Sequence, residues 1–277
     1  MTIRGIHQNS LRTKSAAVLG AGVLALSGLA ACGSDDSGDS AGGADQPTSS
    51  ESAEVTAAEG EPNPEAEGKR AEREEKALGT DEVAGLPLQE ISPEQFAQSS
   101  TLAEKLSGQA SMQFDPPECK ESFEKIQGTG AVDTSAAAGR LGQDPNIPDT
   151  IFIIMLNDPS ATASDYTSTI EQCGDVQITL EMPGQDGQPQ SSALTMNNEI
   201  VDAAAPEGTE EFFAARATIN GDSQGQPTTS GTFLVSGNVN GTAIQINAQS
   251  NAGPISPEAE QRALDLFNQQ AQKLQNA

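Results

Sequence analysis

The stretch IFIIML, from Ile151 to Leu156, decides the fold of this chain. Pro148 lies before it and Asn157-Asp158-Pro159 follows it, so residues that break regular structure bound the run on both sides. The run is too short for a typical helix and is rich in β-branched residues, which predicts a strand buried on both faces. Such a strand lies inside a sheet, and helices should pack on that sheet.

The residues after this strand show one helix pattern and then several strand patterns. The segment from Ala163 to Cys173 has its apolar residues at helical spacing, which predicts a helix. The next strand has Val176, Ile178 and Leu180 on its buried side. Later strands are predicted around 193–196, 212–219, 232–239 and 244–248. Asn240-Gly241 predicts a two-residue hairpin turn, and Ser256 followed by Pro257 predicts the start of a closing helix.

Upstream of the central strand the pattern predicts helices and one weak strand. Ser92-Pro93-Glu94 and Asp115-Pro116-Pro117-Glu118 both resemble helix starts, and residues 131–138 are either loop or a weak strand. The order of elements therefore predicts an α+β domain over 86–277, with one mostly antiparallel sheet and helices packed on it. A domain of this size can bury a substantial single core.

Residues 32–85 differ in composition from the domain that follows. The stretch from Gly33 to Glu90 has 16 acidic residues, 4 basic residues and no aromatic residue. Such a chain cannot bury enough apolar surface to offset the entropy of ordering it, so we predict a disordered acidic tether over 32–85. A helix over Glu65 to Leu78 would have almost no apolar face and is predicted to be solvated.

The first 31 residues are predicted to be a lipoprotein signal peptide. Basic residues precede an apolar run from Ala16 to Ala31, which is shorter than the roughly 20 residues that span a bilayer. The run ends in Leu29-Ala30-Ala31 before Cys32, which resembles a bacterial lipobox. Cleavage between Ala31 and Cys32 and diacylation of Cys32 would place the protein on the extracytoplasmic face of the cell membrane. The alternative is an ordinary secretory signal that contains a cysteine.

The charge of the exported chain excludes several classes of function. After residue 31 the chain has 40 acidic and 11 basic residues, a formal charge of −29. A surface this acidic repels phosphate groups, so no nucleic-acid partner is expected. The only histidine, His7, leaves with the signal peptide. The exported protein therefore has no imidazole base and no histidine metal ligand, and we expect neither a metal nor a cofactor.

Cys119 and Cys173 are the cysteines that remain after Cys32. Two cysteines in an exported protein usually form a disulfide, which is the prediction here. A reactive thiol would lack a nearby histidine, and a zinc site would lack enough ligands.

Candidate catalytic residues are weak, so the chain is predicted not to be an enzyme. Glu199 with Asp202, or Glu210 with Glu211, could supply paired carboxylates, but in so acidic a chain such pairs usually face solvent. Serine motifs of the G-x-S-x-G and S-x-x-K types occur without the residues that would activate them.

The layout over 86–277 resembles the extracytoplasmic sensor-like domains of actinobacterial receptor serine/threonine kinases and related lipoproteins. The resemblance rests on Asp115-Pro116-Pro117-Glu118-Cys119, on Ile170-Glu171-Gln172-Cys173 before an alternating strand, and on the closing helix. It implies a non-catalytic binding or sensing module whose partner is an envelope protein or a small ligand. The alternative is a carrier of a lipid or small ligand, with a cavity between sheet and helices.

Overall fold

The computed structural model describes residues 63–96, 98, 111–123, 135–159, 162–183, 189–223 and 226–277. Its main feature is one sheet of nine strands, in which every neighbouring pair is antiparallel. In chain order the strands are β1 (Leu88–Glu90), β2 (Ser111–Asp115), β3 (Ala138–Gln143), β4 (Thr150–Asn157), β5 (Asp175–Pro183), β6 (Pro189–Ile200), β7 (Glu210–Ser223), β8 (Gln226–Val239) and β9 (Thr242–Ser250). Their order in the sheet is β1-β3-β4-β9-β8-β7-β6-β5-β2. The predicted α+β fold with one antiparallel sheet is confirmed.

The IFIIML stretch forms the middle of β4, which lies inside the sheet between β3 and β9. Its residues 152–156 are buried on both sides of the sheet, as predicted. Phe152 and Ile154 pack with the closing helix α3 (Pro257–Gln275), so we call this side the α3 face. Ile153 points to the other side, which we call the α2 face because the helix α2 (Ala163–Gln172) packs there.

The closing helix begins where local sequence chemistry predicts. Ser256 is the N-cap, and its hydroxyl accepts a hydrogen bond from the backbone N–H of Ala259 at 3.2 Å. Its buried side packs on the α3 face through Ala259, Ala263, Leu266, Phe267, Ala271 and Leu274. Burying a Leu or Phe side chain of this kind contributes about 1.5–3 kcal/mol, so this helix closes the main core.

The β8–β9 hairpin has the predicted turn. Asn240 and Gly241 have φ angles of 50° and 76°, and positive φ at both central residues is what a type I′ turn requires. The turn fixes the register in which Val239 lies opposite Thr242, and that register continues along both strands.

The predicted disulfide between Cys119 and Cys173 is confirmed. Residues 119–123 are helical and Cys173 is the C-cap of α2. The two Cα atoms are 5.7 Å apart, within the range that a disulfide spans. Both cysteines are buried with Phe123, Val176 and Met196. The bond therefore fastens two helical segments to the β5 end of the sheet.

Residues 63–85 correct the predicted domain boundary. They begin with the helix α1 (Pro64–Lys76), capped by Asn63, and continue into a segment whose Leu78, Val83 and Leu86 lie in the main core. The prediction that these residues are part of a disordered tether is therefore wrong. The apolar side chains here are few and irregularly spaced, so neither composition nor periodicity reveals that the body of the domain buries them.

Helix α1 is held to the domain mainly by polar contacts. Arg73 is 8% exposed, donates to the backbone oxygen of Ala136 at 2.5 Å and forms an ion pair with Asp158. Arg140 donates to the backbone oxygen of Glu74 at 3.4 Å. These contacts explain how a helix with almost no apolar side can still belong to the fold.

Strand β3 was only partly predicted. The weak strand expected over 131–138 overlaps β3 at Ala138, and residues 131–134 lie outside the described part of the chain. Gly139 and Gly142 weaken the strand pattern in the sequence of β3, but the packing leaves no room for a side chain at either position. A Cβ on Gly139 would lie 2.6 Å from Phe96, and a Cβ on Gly142 would lie 2.8 Å from Leu88.

Candidate functional site

The α2 face of the sheet has a row of uncharged polar side chains on β8 and β9. Gln245, Asn247 and Gln249 are successive residues on this side of β9. On β8, Thr232 lies directly opposite Gln249 and Ser236 lies directly opposite Gln245. These five residues are called the polar strip below. Its length along β9 is roughly 13 Å, from the rise per residue of a strand.

Three of the five residues of the polar strip are buried, and several of its polar atoms are unpaired. Thr232 is 2% exposed and Gln249 is 7% exposed, while Asn247 is partly buried. In the described structure, Thr232 Oγ1, Asn247 Oδ1 and Gln249 Nε2 are buried atoms without a hydrogen-bond partner. Leaving such a group unpaired costs about 1–3 kcal/mol. Buried water or a bound molecule that pairs these atoms would offset that cost.

Apolar side chains flank the strip on both sides. On β4, Ile151 lies opposite Gln249 and Ile153 lies opposite Asn247. On β8, Leu234 lies on the other side of Asn247 and is itself buried. Asn247 thus lies between two branched aliphatic side chains, which lowers the local dielectric constant and strengthens any hydrogen bond made there.

Helix α2 closes one side of this region. A capping box of Thr162 and Asp165 starts the helix. Its Tyr166 stacks on Phe213 of β7 with ring centroids 4.5 Å apart, and both pack with Leu234. Burial raises the pKa of the Tyr166 hydroxyl, and the neighbouring charge of Asp165 raises it further. The hydroxyl therefore stays protonated at neutral pH.

Asn157 adds unpaired polar atoms at the end of β4. It is 2% exposed, and neither its Nδ2 nor its Oδ1 has a hydrogen-bond partner in the part of the chain that the structure describes. Its Cα partner is Ala243, which is two residues before Gln245 on β9 and lies on the same face. The unpaired amide of Asn157 therefore lies on the α2 face beyond one end of the polar strip.

On the α3 face, the buried side-chain amide of Gln270 has hydrogen-bond partners for both its donor and its acceptor. Gln270 is fully buried there, but it donates to the backbone oxygen of Lys76 at 2.8 Å and accepts from the backbone N–H of Leu78 at 2.9 Å. This amide is a structural clamp between α3 and the end of α1. In the described residues, buried atoms without a hydrogen-bond partner also occur on the α3 side, at Arg140 Nε, Thr209 Oγ1 and Arg262 Nε, but they do not lie in one row as those of the polar strip do.

A cleft of about 580 Å³ lies at the start of α3, and two of its charged residues, Arg262 and Asp144, are already paired with each other. Arg262 forms an ion pair with Asp144 at 3.3 Å and donates to the backbone oxygen of Ala84 at 2.6 Å. Asp144 also accepts from Asn146, through both its backbone N–H and its side-chain amide. We regard this cleft as a weaker candidate than the polar strip.

The carboxylates that the sequence suggested as acid–base pairs have structural contacts or face solvent. Glu199 pairs with Arg216 at 3.0 Å, and the same guanidinium forms a two-point contact with Glu260 of α3. The hydrogen bond to Glu260 raises the pKa of Arg216. Glu211 accepts from the backbone N–H of Ala163 at 2.8 Å. Asp202 and Glu210 are exposed.

The residues of the predicted lipobox, Leu29 to Cys32, lie outside the described residues, so the anchor stays a prediction. No helix in the described ranges is long and apolar enough to cross a membrane. Over the same ranges, no three His, Cys, Asp or Glu side chains lie together as metal ligands would.

Sequence reasoning missed the polar strip. The alternation of Ile244, Ile246 and Ala248 identifies β9 and its buried side, and the polar residues between them look like an ordinary solvent-facing side. The sequence holds no signal that separates these amides from the exposed Gln89, Gln113 and Gln143 on other strands of the same sheet. The burial of that second side depends on packing from elsewhere in the chain.

Comparison with known proteins finds little similarity. No protein-family model matches the sequence, and no curated protein matches it. The chain is similar to the X-ray structure of an uncharacterised protein from Mycobacterium smegmatis, the Rv0999 ortholog, with a TM-score of 0.36 and 10% sequence identity. That alignment covers 74% of this chain and 95% of the other. Similarity at this level assigns neither a family nor a function.

Proposed function

We propose that this protein is a non-catalytic binding or sensing module, held on the extracytoplasmic face of the cell membrane by diacylated Cys32. The observation that supports binding is the polar strip, where Thr232, Asn247 and Gln249 have buried polar atoms without a partner in the described structure. Buried polar groups are normally paired, so water or a bound molecule would have to complete the hydrogen bonds of these atoms.

The anchor and the linker would set where binding takes place. Because the fold already includes residue 63, the stretch between Cys32 and the domain is residues 33–62. A flexible chain of that length has an average span of about 30 Å. The module would therefore work close to the outer surface of the membrane. The resemblance to extracytoplasmic sensor-like domains fits this arrangement and favours sensing.

A small-ligand carrier is the second candidate, because apolar side chains flank the strip on β4 and β8. A lipid carrier is less favoured. Acyl chains cannot pair with Thr232 or Gln249, so filling the strip with hydrocarbon would keep the full cost of the unpaired atoms.

Native mass spectrometry of the full-length lipoprotein, extracted from the envelope in mild detergent, tests the binding function. We expect a bound small molecule or partner protein that Gln249→Leu loses. Thr228→Val, at an exposed position on the neighbouring strand β8, is a control for substitution on the same face and should keep it. If Gln249→Leu keeps everything that the unchanged protein binds, the α2 face is not the binding site.

The membrane anchor is tested separately by fractionation of cells that express Cys32→Ala. We expect this variant to leave the membrane fraction or to stay unprocessed. Normal cleavage after Ala31 together with retention in the membrane would contradict the lipobox assignment.

A further inference from the structure

We propose that two copies of this protein associate through the outer edge of β2, so that their two sheets continue into one. This inference goes beyond the proposed binding function and does not depend on the polar strip. It starts from the two edges of the sheet, β1 and β2, which differ in how well they are protected against pairing with another chain.

The edge formed by β1 is protected. Strand β1 is only three residues long, and one of them, Glu90, is charged. The backbone N–H of Leu88 already donates to the backbone oxygen of Thr80 at 3.1 Å, so the preceding segment of the chain occupies part of this edge. Short strands, charges and covering segments are the features with which proteins block an edge, so no strand should add here.

The edge formed by β2 is less protected. The strand has five residues, no proline and a single charge, at Asp115. It is the last strand of the sheet, and no strand in the described part of the chain pairs with its outer side. Its outward main-chain N–H and C=O groups are therefore a template for a further strand.

The apolar side of β2 continues a core cluster to the edge of the sheet. Met112 and Phe114 are partly buried and pack against a cluster that includes Ile178 and Leu180 of β5. Phe114 also stacks on Phe123, with ring centroids 5.8 Å apart. A strand added beside β2 would cover the exposed parts of Met112 and Phe114, so it would bury apolar surface in addition to pairing the main chain.

The sequence of β2 is complementary to itself in antiparallel pairing. With a two-fold axis through Gln113, each Gln113 faces its copy, and the two amides can donate to each other. Ser111 then faces Asp115 of the second copy, so a hydroxyl donates to the carboxylate and no like charges are opposed. Met112 faces Phe114 of the second copy, which is a favourable sulfur–aromatic pair.

This self-complementarity favours a second copy over an unrelated extended peptide as the occupant of the edge. A two-fold axis gives both copies the same contacts, as in most homodimers. The pairing allows about four to six main-chain hydrogen bonds. It stays below the roughly 1,200–2,000 Å² that a standard stable complex buries. The dimer is therefore weak and reversible, and a covalent trap detects such a dimer better than an equilibrium measurement.

Gln113→Cys in the detergent-solubilised full-length protein tests the pairing, because it places two thiols opposite each other at the two-fold axis. Directly opposed Cβ atoms lie about 4.5–5.5 Å apart, so a small shift allows a disulfide. Mild oxidation with copper phenanthroline, followed by gel electrophoresis without reductant, should show a covalent dimer that the unchanged protein does not form. Gln89→Cys is the matched control at an exposed position of the other edge strand, and it should give at least tenfold less dimer.

Two further variants test the register. In the proposed pairing the two copies of Ser111 lie about 13 Å apart along the strand direction, so Ser111→Cys alone should form at least tenfold less dimer than Gln113→Cys. Asp115→Cys alone should behave in the same way. A mixture of the two proteins should form the mixed dimer, because Ser111 and Asp115 face each other across the axis.

The outcomes decide the inference without touching the proposed function. If Gln113→Cys forms no dimer, or no more than Gln89→Cys, the β2 edge does not pair with a second copy. If Ser111→Cys alone forms as much dimer as the mixture, the contact is not the self-complementary pairing, and the inference is wrong. The binding function is tested separately by Gln249→Leu, which lies on β9 away from this edge.

Discussion

Replacing Gln270 tests whether residues 77–88 belong to the folded core. This side chain is fully buried and pairs with the Lys76 oxygen at 2.8 Å and with the Leu78 N–H at 2.9 Å. Gln270→Ala removes both partners and leaves two main-chain groups unpaired. At about 1–3 kcal/mol for each group, and allowing a few tenths for the better helix propensity of alanine, the expected loss is about 2–5 kcal/mol.

Urea denaturation of Gln270→Ala measures this loss, and hydrogen exchange at the Leu78 amide shows where it acts. A domain with 5–15 kcal/mol of stability should stay folded, so the loss is measurable. Gln272→Ala is the matched control, because it is the same substitution at an exposed position of the same helix. If the two variants lose equal stability, or if exchange at Leu78 does not accelerate in Gln270→Ala, the clamp is not a source of stability.

Three further predictions concern other contacts. Replacing both disulfide-bonded cysteines by serine should lower the free energy of unfolding by about 2–4 kcal/mol without abolishing the fold. Urea denaturation would measure the loss, and circular dichroism would show that the fold remains. An unfolded product would contradict this prediction. Asp158→Asn removes the ion-pair partner of buried Arg73. It should lower the free energy of unfolding by about 1–2 kcal/mol and accelerate hydrogen exchange in α1. Unchanged exchange in α1 would show that the ion pair does not hold the helix to the domain. Hydrogen bonds from Lys273 and from a backbone N–H lower the pKa of Glu82 in the folded protein. The ionised carboxylate therefore stabilises the fold at pH values above the pKa that Glu82 has in the unfolded chain. This stabilisation is lost as the pH falls through the lower pKa of the folded state. Glu82→Gln should therefore reduce the difference in Tm between pH 7 and pH 3, while Glu90→Gln, an exposed control, should not.

Local chemistry made parts of this fold predictable. The cap at Ser256 and the turn at Asn240-Gly241 each depend on residues that are close in sequence, and both were found where the patterns predict. The same holds for the buried strand from Ile151 to Leu156, since a short apolar run with β-branched residues fits few other structures.

The α1 segment and strand β3 were not predictable in the same way. The spacing of Leu78, Val83 and Leu86 fits neither a helix nor a strand, so the sequence predicts no secondary structure there. These residues belong to the core because α3 and the sheet pack against them. The glycines of β3 weaken its strand pattern, but neighbouring side chains occupy the space that a Cβ would need. In both cases long-range packing outweighs the local preference.

The sequence by itself determined the fold class, the central strand, the closing helix and the cysteine pair, because each follows from neighbouring residues or from a simple count. Only the tertiary structure decided that Thr150 of β4 pairs with Ser250 of β9, a hundred residues later in the chain. That pairing places Ile153 beside Asn247 and creates the polar strip between apolar flanks. The physical reason is that alternation in a strand shows which residues share a side, but burial of both sides depends on what packs against each.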